Sequence, residues 1–457
     1  MKRFFKHISL LLLLTVSLSV MAQTNQWRDV HKVKKQETIF GLANQYGITI
    51  EELLNANPEM KVPGYELKKG CYVCIPYSKD QQASMKNVNV ANNKPVVSDK
   101  KTEDIRKRAI RVGVMLPLHD NDGDGRRMVE YYRGLLMACD SIKKEGISVD
   151  VQAWNVAADT DIRLFLIDNA VQQCDIIFGP LYSSQVKPLS DFAAKYNIKV
   201  VIPFSISSSE VFSNRNVFQV YQSPNDFNEA AINKYFDRFA TYHPVFIDCN
   251  DTTSTKGLFT SGLRRQLEAK KISYTLTNLK SSEELFAKAF SRTKPNVVIL
   301  NTGRSPELNV AFAKINGMLV KYPGIVISMY GYTEWLMYTQ YNLDNFYRYD
   351  TYIPSTFYYN PLSTMTRRIE QKYRWNFHSD MMPSLPRFAI TGFDQGYFFL
   401  KGLHNEGKDF NGAIKPAAYN AIQTPLRFTR IGSGGFQNKS FMFVHYTFNR
   451  RIETIKY

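Results

Sequence analysis

The chain has 457 residues, of which 44% are hydrophobic and 13% aromatic, and its formal net charge at pH 7 is +17. This composition is typical of a globular protein of about two to four domains with ample core. Five cysteines at irregular spacing exclude a disulfide framework. The charge favours acidic surroundings such as a cell-wall polymer or an anionic membrane surface, or it is only a solvated basic surface. Nucleic acid is a poor candidate because no basic helix carries interleaved aromatic residues.

The first 22 residues have the pattern of a secretory signal peptide. Lys2, Arg3 and Lys6 precede an apolar stretch over residues 8–20, and the residues before Gln23 fit a small-residue cleavage site. The apolar stretch is too short for a membrane-spanning helix. No cysteine follows the cleavage site, so we expect a bacterial periplasmic protein without a lipid anchor.

Residues 29–77 are predicted to form a very small domain with the element order βααβ. After a short strand, a helix opens at Glu37-Thr38. Thr49 then caps a second helix, with Glu52 as its capping-box partner. A second strand follows over residues 67–75. Because the unit is so short, its core must be thin.

This unit resembles a LysM domain along its whole length. The matching residues are Val33, Glu37-Thr38-Ile39, Leu42-Ala43, Tyr46-Gly47, Thr49, Leu53, Asn55, Asn57, Leu67, Gly70 and Ile75-Pro76. The resemblance implies binding of a glycan that contains N-acetylglucosamine, in peptidoglycan or chitin; the alternative is a degenerate module kept as a spacer. The implied glycan-binding residues are Glu37, Thr38, Ile39, Phe40, Asn55, Ala56, Asn57 and Pro58.

Residues 78–107 are polar and show no periodicity. Such a composition lacks the apolar groups needed to form a core, and it predicts a disordered linker. A flexible chain of this length has a mean reach on the order of 30 Å. The linker would therefore let the second unit explore the space near a wall-bound first unit.

From residue 109 onward the pattern alternates between strands and helices. The clearest part is the block 174–205, which predicts a buried strand, a turn at Gly179-Pro180, a helix that Ser183 can cap, and a second buried strand. These elements make a βαβ unit, and open α/β sheets bind ligands at the carboxyl ends of their strands. The serines at these ends mark a candidate site, although each could simply cap a helix or satisfy a turn.

Residues 109–457 are predicted to form an α/β fold of two doubly wound lobes with a cleft between them. The region resembles the type I periplasmic binding-protein fold of branched-chain amino-acid receptors. The resemblance rests on RVGVMLPL, the block 174–205, VFQVYQSPNDF, VISMYGYTEW and GFDQGYFFLKGL. It implies a first lobe of about 109–224 plus 355–410 and a second lobe of about 225–354 plus 411–457.

The same resemblance places ligand contacts on both lobes. The implied ligand-binding residues are Tyr182, Ser183, Ser205, Ser207, Asp251, Thr252, Tyr332 and Glu334. In amino-acid receptors, hydroxyls and backbone N–H groups hold the ligand carboxylate, and an acidic residue of the second lobe holds its ammonium group. Glu334 is the candidate for the acidic role; the alternative is that its carboxylate only favours the dipole of a helix start.

Metal-binding and catalytic motifs are weak or absent. Cys71-x-x-Cys74 has no second pair and no nearby histidine, and the calcium-like loop Asp120–Gly125 is followed by Tyr131 where a calcium loop needs glutamate. HExxH, GxSxG and GxxxxGK[ST] do not occur. We therefore expect no metal, no cofactor and no enzyme activity.

The resulting hypothesis is a secreted, peptidoglycan-associated binding protein. Its first unit anchors to cell-wall glycan, and its two-lobed unit binds a small ligand, an amino acid or a muropeptide, by hinge closure. The rival hypothesis is a non-transport interaction protein that regulates a cell-wall enzyme through the binding-protein-like unit.

Overall fold

The computed structural model describes residues 29–35, 37–61, 65, 67, 69, 72–76, 103–204 and 208–457. The chain divides into two compact units, Met1–Asp99 and Lys100–Tyr457. The predicted signal peptide, most of the predicted linker, Cys71, Ser205 and Ser207 lie outside the described residues.

The first unit has the predicted βααβ order. Strand β1 (Asp29–Lys32) pairs antiparallel with β2 (Tyr72–Ile75), and helices α1 (Ile39–Tyr46) and α2 (Ile50–Ala56) lie between them in sequence. The capping box is confirmed: the Glu52 N–H donates to Thr49 Oγ1, and the Thr49 N–H donates to Glu52 Oε2. A thin core holds the unit together, with the buried side chains Val33, Leu42, Ala43, Ile48, Leu53, Met60, Val73 and Ile75.

The second unit alternates strands and helices as predicted. Its strands are β3 (Ile110–Leu116), β4 (Val149–Asn155), β5 (Ile176–Phe178), β6 (Lys199–Ile202), β7 (Val217–Gln219), β8 (His243–Asp248), β9 (Thr275–Asn278), β10 (Asn296–Leu300), β11 (Ile327–Tyr330), β12 (Thr351–Ser355), β13 (Phe428–Arg430), β14 (Phe436–Asn438), β15 (Met442–Tyr446) and β16 (Ile452–Lys456). Its helices are α3 (Gly123–Lys143), α4 (Arg163–Leu166), α5 (Asn169–Gln172), α6 (Ser183–Tyr196), α7 (Pro224–Phe239), α8 (Gly257–Ala269), α9 (Glu283–Lys288), α10 (Ser305–Lys321), α11 (Thr339–Arg348), α12 (Thr364–Phe377), α13 (Phe388–Glu406) and α14 (Ile414–Ala417).

These strands form two seven-stranded sheets, one in each lobe. The first sheet has the order β13-β14-β7-β6-β5-β3-β4, and the second has the order β16-β15-β12-β11-β10-β8-β9. Strands β3 to β7 pair in parallel, and so do β8 to β12. The predicted βαβ unit is confirmed as β5, α6 and β6, with β5 wholly buried. Parallel pairing brings the carboxyl ends of neighbouring strands to one edge of each sheet.

The end of the chain is shared between the lobes, which corrects the predicted boundary. Strand β14 pairs in parallel with β7, and the Phe436 and Phe218 rings stack with their centroids 4.7 Å apart. Strands β13 and β14 therefore belong to the first lobe, whereas the prediction gave all of 411–457 to the second. Strands β15 and β16 extend the second sheet as an antiparallel hairpin.

The predicted boundaries of α6 and of the linker differ from the structure, and a local cap sets the start of α3. Helix α3 begins at Gly123, because Asp122 caps it by accepting the Gly125 N–H at 2.7 Å. Ser183 is the first residue of α6 and not its cap, since Tyr182 takes the cap position. The predicted linker extends too far, because Ile105 is buried in the core of the first lobe.

Helices α3 and α13 approach each other so closely that their backbones touch. A Cβ atom on Gly134 would lie 1.8 Å from the Ala389 carbonyl oxygen, and one on Gly392 would lie 2.0 Å from the Tyr131 carbonyl oxygen. Glycine is therefore required at both positions by close packing. The Tyr131 hydroxyl also donates to Gln395 Oε1 at 2.6 Å, which adds a buried hydrogen bond between the two helices.

We expect Gly392→Ala to destabilise the second unit by about 1–3 kcal/mol, because the added methyl group forces α3 and α13 apart. Gly317→Ala is the matched control on a helix: a Cβ atom at Gly317 would have no neighbour within 4 Å. There alanine should stabilise α10 by up to about 1 kcal/mol through its higher helix propensity. Urea unfolding followed by circular dichroism measures both changes, and equal effects of the two substitutions would contradict the packing role of Gly392.

Candidate functional site

The turn between β1 and α1 is organised around the Glu37 carboxylate. Its Oε2 accepts hydrogen bonds from the Lys34 backbone N–H and from His31 Nε2, both at 2.7 Å. His31 Nδ1 lies 2.9 Å from the Tyr46 hydroxyl, so a single hydrogen-bond chain joins β1, the turn and α1. The Lys34 N–H first, and then His31, hold the pKa of Glu37 below its ordinary value. This predicted glycan contact therefore fixes the shape of the turn.

The loop after α2 contains the other half of the predicted glycan site. Asn57 is 2% exposed and donates from Nδ2 to the Leu53 carbonyl at 2.8 Å, so its side chain closes α2. Ala56 is also buried. Contrary to expectation, neither side chain is at the surface. Asn55 is exposed and accepts from Lys61 Nζ at 2.5 Å, within the loop where Pro58 begins a 3-10 turn.

Phe40 is the predicted glycan contact with the largest exposed apolar surface. Its side chain is 62% exposed, whereas the neighbouring Ile39 is half-buried against the core. Thr38 is exposed, but its hydroxyl oxygen caps α1 by accepting the Gly41 N–H at 3.0 Å. Ile50, at the start of α2, is 41% exposed and is a surface residue that sequence reasoning missed. The sequence signal that could have found it is an apolar residue directly after the cap Thr49.

Asp251 follows β8 at the carboxyl edge of the second sheet, where the prediction placed it, but its carboxylate is already occupied. It accepts hydrogen bonds from the Thr253 N–H and hydroxyl and from the Thr302 hydroxyl at 2.7–2.9 Å. Arg304 lies 3.4 Å away, and the Asp251 side chain is only 1% exposed. The hydroxyls of Thr253 and then Thr302 lower the pKa of Asp251 to about 2. Asp251 therefore joins the ends of β8 and β10.

Tyr332 and Glu334 follow β11 at the same edge, but they have different environments. Tyr332 is buried and donates its hydroxyl to the Leu300 carbonyl at 2.5 Å, so it belongs to the core and not to an open surface. Glu334 Oε1 lies 2.5 Å from Lys256 Nζ, and its side chain remains 41% exposed. The Lys256 ammonium also lies 4.8 Å from the centre of the Tyr332 ring. The Lys256 ammonium thus pairs with the carboxylate that was predicted to hold a ligand ammonium group.

The first lobe presents the remaining predicted contacts at its own carboxyl edge. Tyr182 follows β5 and donates its hydroxyl to Asp124 Oδ2 at 3.4 Å. Ser183 is exposed at the start of α6. On the second lobe, Thr252 is exposed beside Asp251. Of the eight predicted ligand contacts, the structure thus exposes Ser183, Thr252 and part of Tyr182 and Glu334.

The Asp120–Gly125 loop stabilises the start of α3 and contacts the first residues after β5. Asp122 caps α3, and Asp124 pairs with Arg127 at 3.2 Å and accepts from Tyr182. Across the part of the chain that the structure describes, no group of three or more His, Cys, Asp or Glu side chains could hold a metal ion. Nor is any described helix both long enough and apolar enough to cross a membrane.

Comparison with known proteins assigns a class to each unit. A LysM domain family model matches residues 31–76. A putative branched-chain amino acid ABC transporter protein from Rhodospirillum rubrum matches with a TM-score of 0.52 at 12% identity, over 76% of this chain and 100% of that chain. A branched-chain amino acid transporter protein from Rhodopseudomonas palustris has a TM-score of 0.45 at 11% identity, over 76% of this chain and 95% of that one. No curated protein matches.

The chain therefore combines a LysM domain with a second unit of known fold. Residues 31–76 are a LysM domain. The second unit has the type I periplasmic binding-protein fold, with two parallel-dominated sheets. At 12% identity the likeness to the Rhodospirillum rubrum structure establishes the fold alone. A LysM domain indicates association with peptidoglycan.

We expect Glu37→Gln to loosen the LysM turn, because one carboxylate oxygen serves both His31 and the Lys34 N–H. The pKa of Glu37 is lowered in the fold, so its contribution is present above its ordinary value of 4.5 and is lost as the pH falls through the folded value. Hydrogen exchange at pH 3 to 7 measures the protection of the LysM amides relative to the intrinsic exchange rate at each pH. This protection should fall at low pH in the natural chain and should depend less on pH in the variant. Glu51→Gln, at an exposed carboxylate of α2, is the control; the same loss there would contradict a specific role of Glu37.

Proposed function

We propose that the chain is an extracytoplasmic binding protein held at the cell wall. In this proposal the LysM domain binds peptidoglycan glycan, and the two-lobed unit closes about its hinge on a small amino-acid-like ligand or a muropeptide. The observation that carries the proposal is the combination in one chain of a LysM domain with a type I periplasmic binding-protein fold.

The surface of the first unit supports glycan binding around Phe40. An exposed aromatic ring at the β1–α1 turn offers an apolar face to a sugar ring, and the Glu37 hydrogen bonds hold that turn in one conformation. Thr38 and Asn55 add exposed polar groups on the two segments that resemble the LysM groove. We therefore assign Thr38, Phe40 and Asn55 as the surface contacts, with Glu37 and Asn57 as positioning residues.

We assign the ligand site of the second unit to the carboxyl edges of the two sheets. Open α/β sheets bind ligands at these edges, and Tyr182, Ser183, Thr252 and Glu334 lie there. Ser205 and Ser207 complete the proposed set by sequence position. In this arrangement the ligand ammonium group must compete with Lys256 for Glu334.

A specific observation favours a second candidate function, that of a non-transport regulator of a cell-wall enzyme. The two second-lobe carboxylates predicted to face a ligand, Asp251 and Glu334, are both satisfied inside the protein. A lobe that pairs its own carboxylates has less to offer an amino-acid ammonium group. In this reading the two-lobed unit binds a protein partner, and the LysM domain keeps it at the wall.

Cosedimentation with purified peptidoglycan sacculi tests the wall-anchoring role. We expect the full chain to pellet with sacculi and a chain lacking residues 29–77 to stay in solution. Phe40→Ala should weaken binding about tenfold or more, since burying such a side chain contributes about 1.5–3 kcal/mol. Ile167→Ala removes an exposed apolar side chain from the second unit and should leave sacculus binding unchanged. If the truncated chain also pelleted, the two-lobed unit itself would bind the wall, and the anchoring role of the LysM domain would be contradicted.

Calorimetric titration with L-leucine and with muropeptides distinguishes the receptor hypothesis from the regulator hypothesis. If Glu334 holds the ligand ammonium group, Glu334→Gln should weaken binding at least about tenfold, or about 1.4 kcal/mol. Glu284→Gln, at an exposed carboxylate on α9, is the control. Absence of binding by the natural chain would remove the receptor function and leave the regulator.

A further inference from the structure

Helix α12 of the second unit presents a basic face to the solvent. The opposite face of the helix carries its buried side chains, which are Thr366, Ile369 and Tyr373. The outer face carries three exposed arginines, Arg367, Arg368 and Arg374. Residues seven positions apart lie on the same side of a helix, so Arg367 and Arg374 form a row along it. The two faces are separate, and the arginines can therefore be replaced without disturbing the core.

The positive charge of this face is largely uncompensated. Across the described ranges, no carboxylate lies within 4.0 Å of the Arg367 or Arg368 guanidinium. Arg374 pairs with Asp380 at 2.7 Å, but both side chains are more than half exposed, so water screens that pair. Glu370, the one acidic residue of α12, accepts the Tyr359 hydroxyl at 2.6 Å.

Large apolar side chains stand beside these arginines. Trp375 is 81% exposed, and it lies on the same side of α12 as Arg368, about 10 Å along the axis. Leu362 and Met365, at the start of the helix, are also exposed. Among the described residues, the other tryptophans are buried or half-buried, which makes the exposure of Trp375 an exception. An exposed apolar group among unpaired cations indicates a contact surface.

From this combination we infer that the outer face of α12 binds the surface of an anionic phospholipid bilayer. Guanidinium groups hold phosphate oxygens in bidentate hydrogen bonds, and the negative potential of such a surface attracts them. Tryptophan is enriched at the interface between a membrane and water, where its ring lies among the headgroups. An acidic polymer in water would attract the arginines but would offer Trp375 no apolar phase. The contact is peripheral, because the buried face of α12 stays in the core.

Vesicle flotation tests the inference. The chain is used from Gln23 onward, so that the apolar stretch over residues 8–20 cannot itself insert into the bilayer. We expect binding to vesicles of about three parts phosphatidylcholine to one part phosphatidylglycerol, and binding at least about tenfold weaker to phosphatidylcholine alone. Because a basic residue near an anionic surface contributes about fivefold in affinity, the double variant Arg367→Gln/Arg368→Gln should bind at least about tenfold more weakly.

The matched control is the double variant Arg264→Gln/Arg265→Gln. It removes two consecutive arginines from α8 and lowers the net charge of the chain by the same amount. The aromatic residue of that helix, Phe259, is buried, so α8 lacks the exposed ring of α12. We expect this variant to bind anionic vesicles within about twofold of the natural chain. Urea unfolding of both double variants should match the natural chain, since all four arginines lie outside the core.

Tryptophan fluorescence measures whether the apolar side chains reach the bilayer. Emission of the natural chain should shift to shorter wavelength when anionic vesicles are added, because the Trp375 ring leaves water. Trp375→Phe keeps an aromatic ring and should still bind, but it should lose this shift. The buried Trp335 is present in both chains and contributes equally to both.

Three vesicle results would overturn the inference. The first is no binding of the natural chain to anionic vesicles. The second is equal weakening by the two double variants, which would indicate a general attraction of a basic protein. The third is an emission shift that Trp375→Phe leaves unchanged. In addition, if Arg367→Gln/Arg368→Gln lost binding to sacculi but kept binding to vesicles, the occupant would be an acidic wall polymer and not a membrane.

Discussion

The direct backbone contact between α3 and α13 is the constraint on which the two-lobed unit depends. The chain leaves the first lobe after β7, builds the second sheet, and returns as α13 to pack on α3. Gly134 and Gly392 allow that return, because a side chain at either position would overlap a carbonyl oxygen of the other helix. Once α13 is seated, β14 can pair with β7, and the chain can cross again to complete the second sheet.

The same topology places the polar side chains of the candidate ligand site at the carboxyl ends of the strands. Because β8, β10 and β11 are parallel, their carboxyl ends bring together Asp248, Asp251, Asn301 and Glu334 from distant parts of the sequence. Most of these groups have partners within the protein: Asp251 accepts a hydrogen bond from Thr302 and so joins two strands, and Lys256 neutralises Glu334. Asp248 differs, since its partners are neutral amides.

Much of the fold could be predicted from local sequence patterns. The βααβ unit followed from its capping signals, and the βαβ unit followed from two apolar runs around a helical stripe. The candidate sites could be predicted only in part. Phe40 and Ser183 are exposed as expected, whereas Asn57 and Tyr332 proved to be buried. A polar or aromatic residue at a strand or helix end can cap a helix, pack in the core or bind a ligand. Its position along the sequence is the same for all three roles, so the sequence does not distinguish them.

The sequence by itself determined the element order, the LysM unit and the α/β class of the remainder, because caps and apolar periods are set by residues a few positions apart. Only the tertiary structure decided which lobe received β13 and β14, and which cation neutralised Glu334. These outcomes depend on pairs separated by tens to hundreds of residues, such as Phe218 with Phe436 and Lys256 with Glu334. Such contacts form only when the whole fold closes, so no local pattern encodes them.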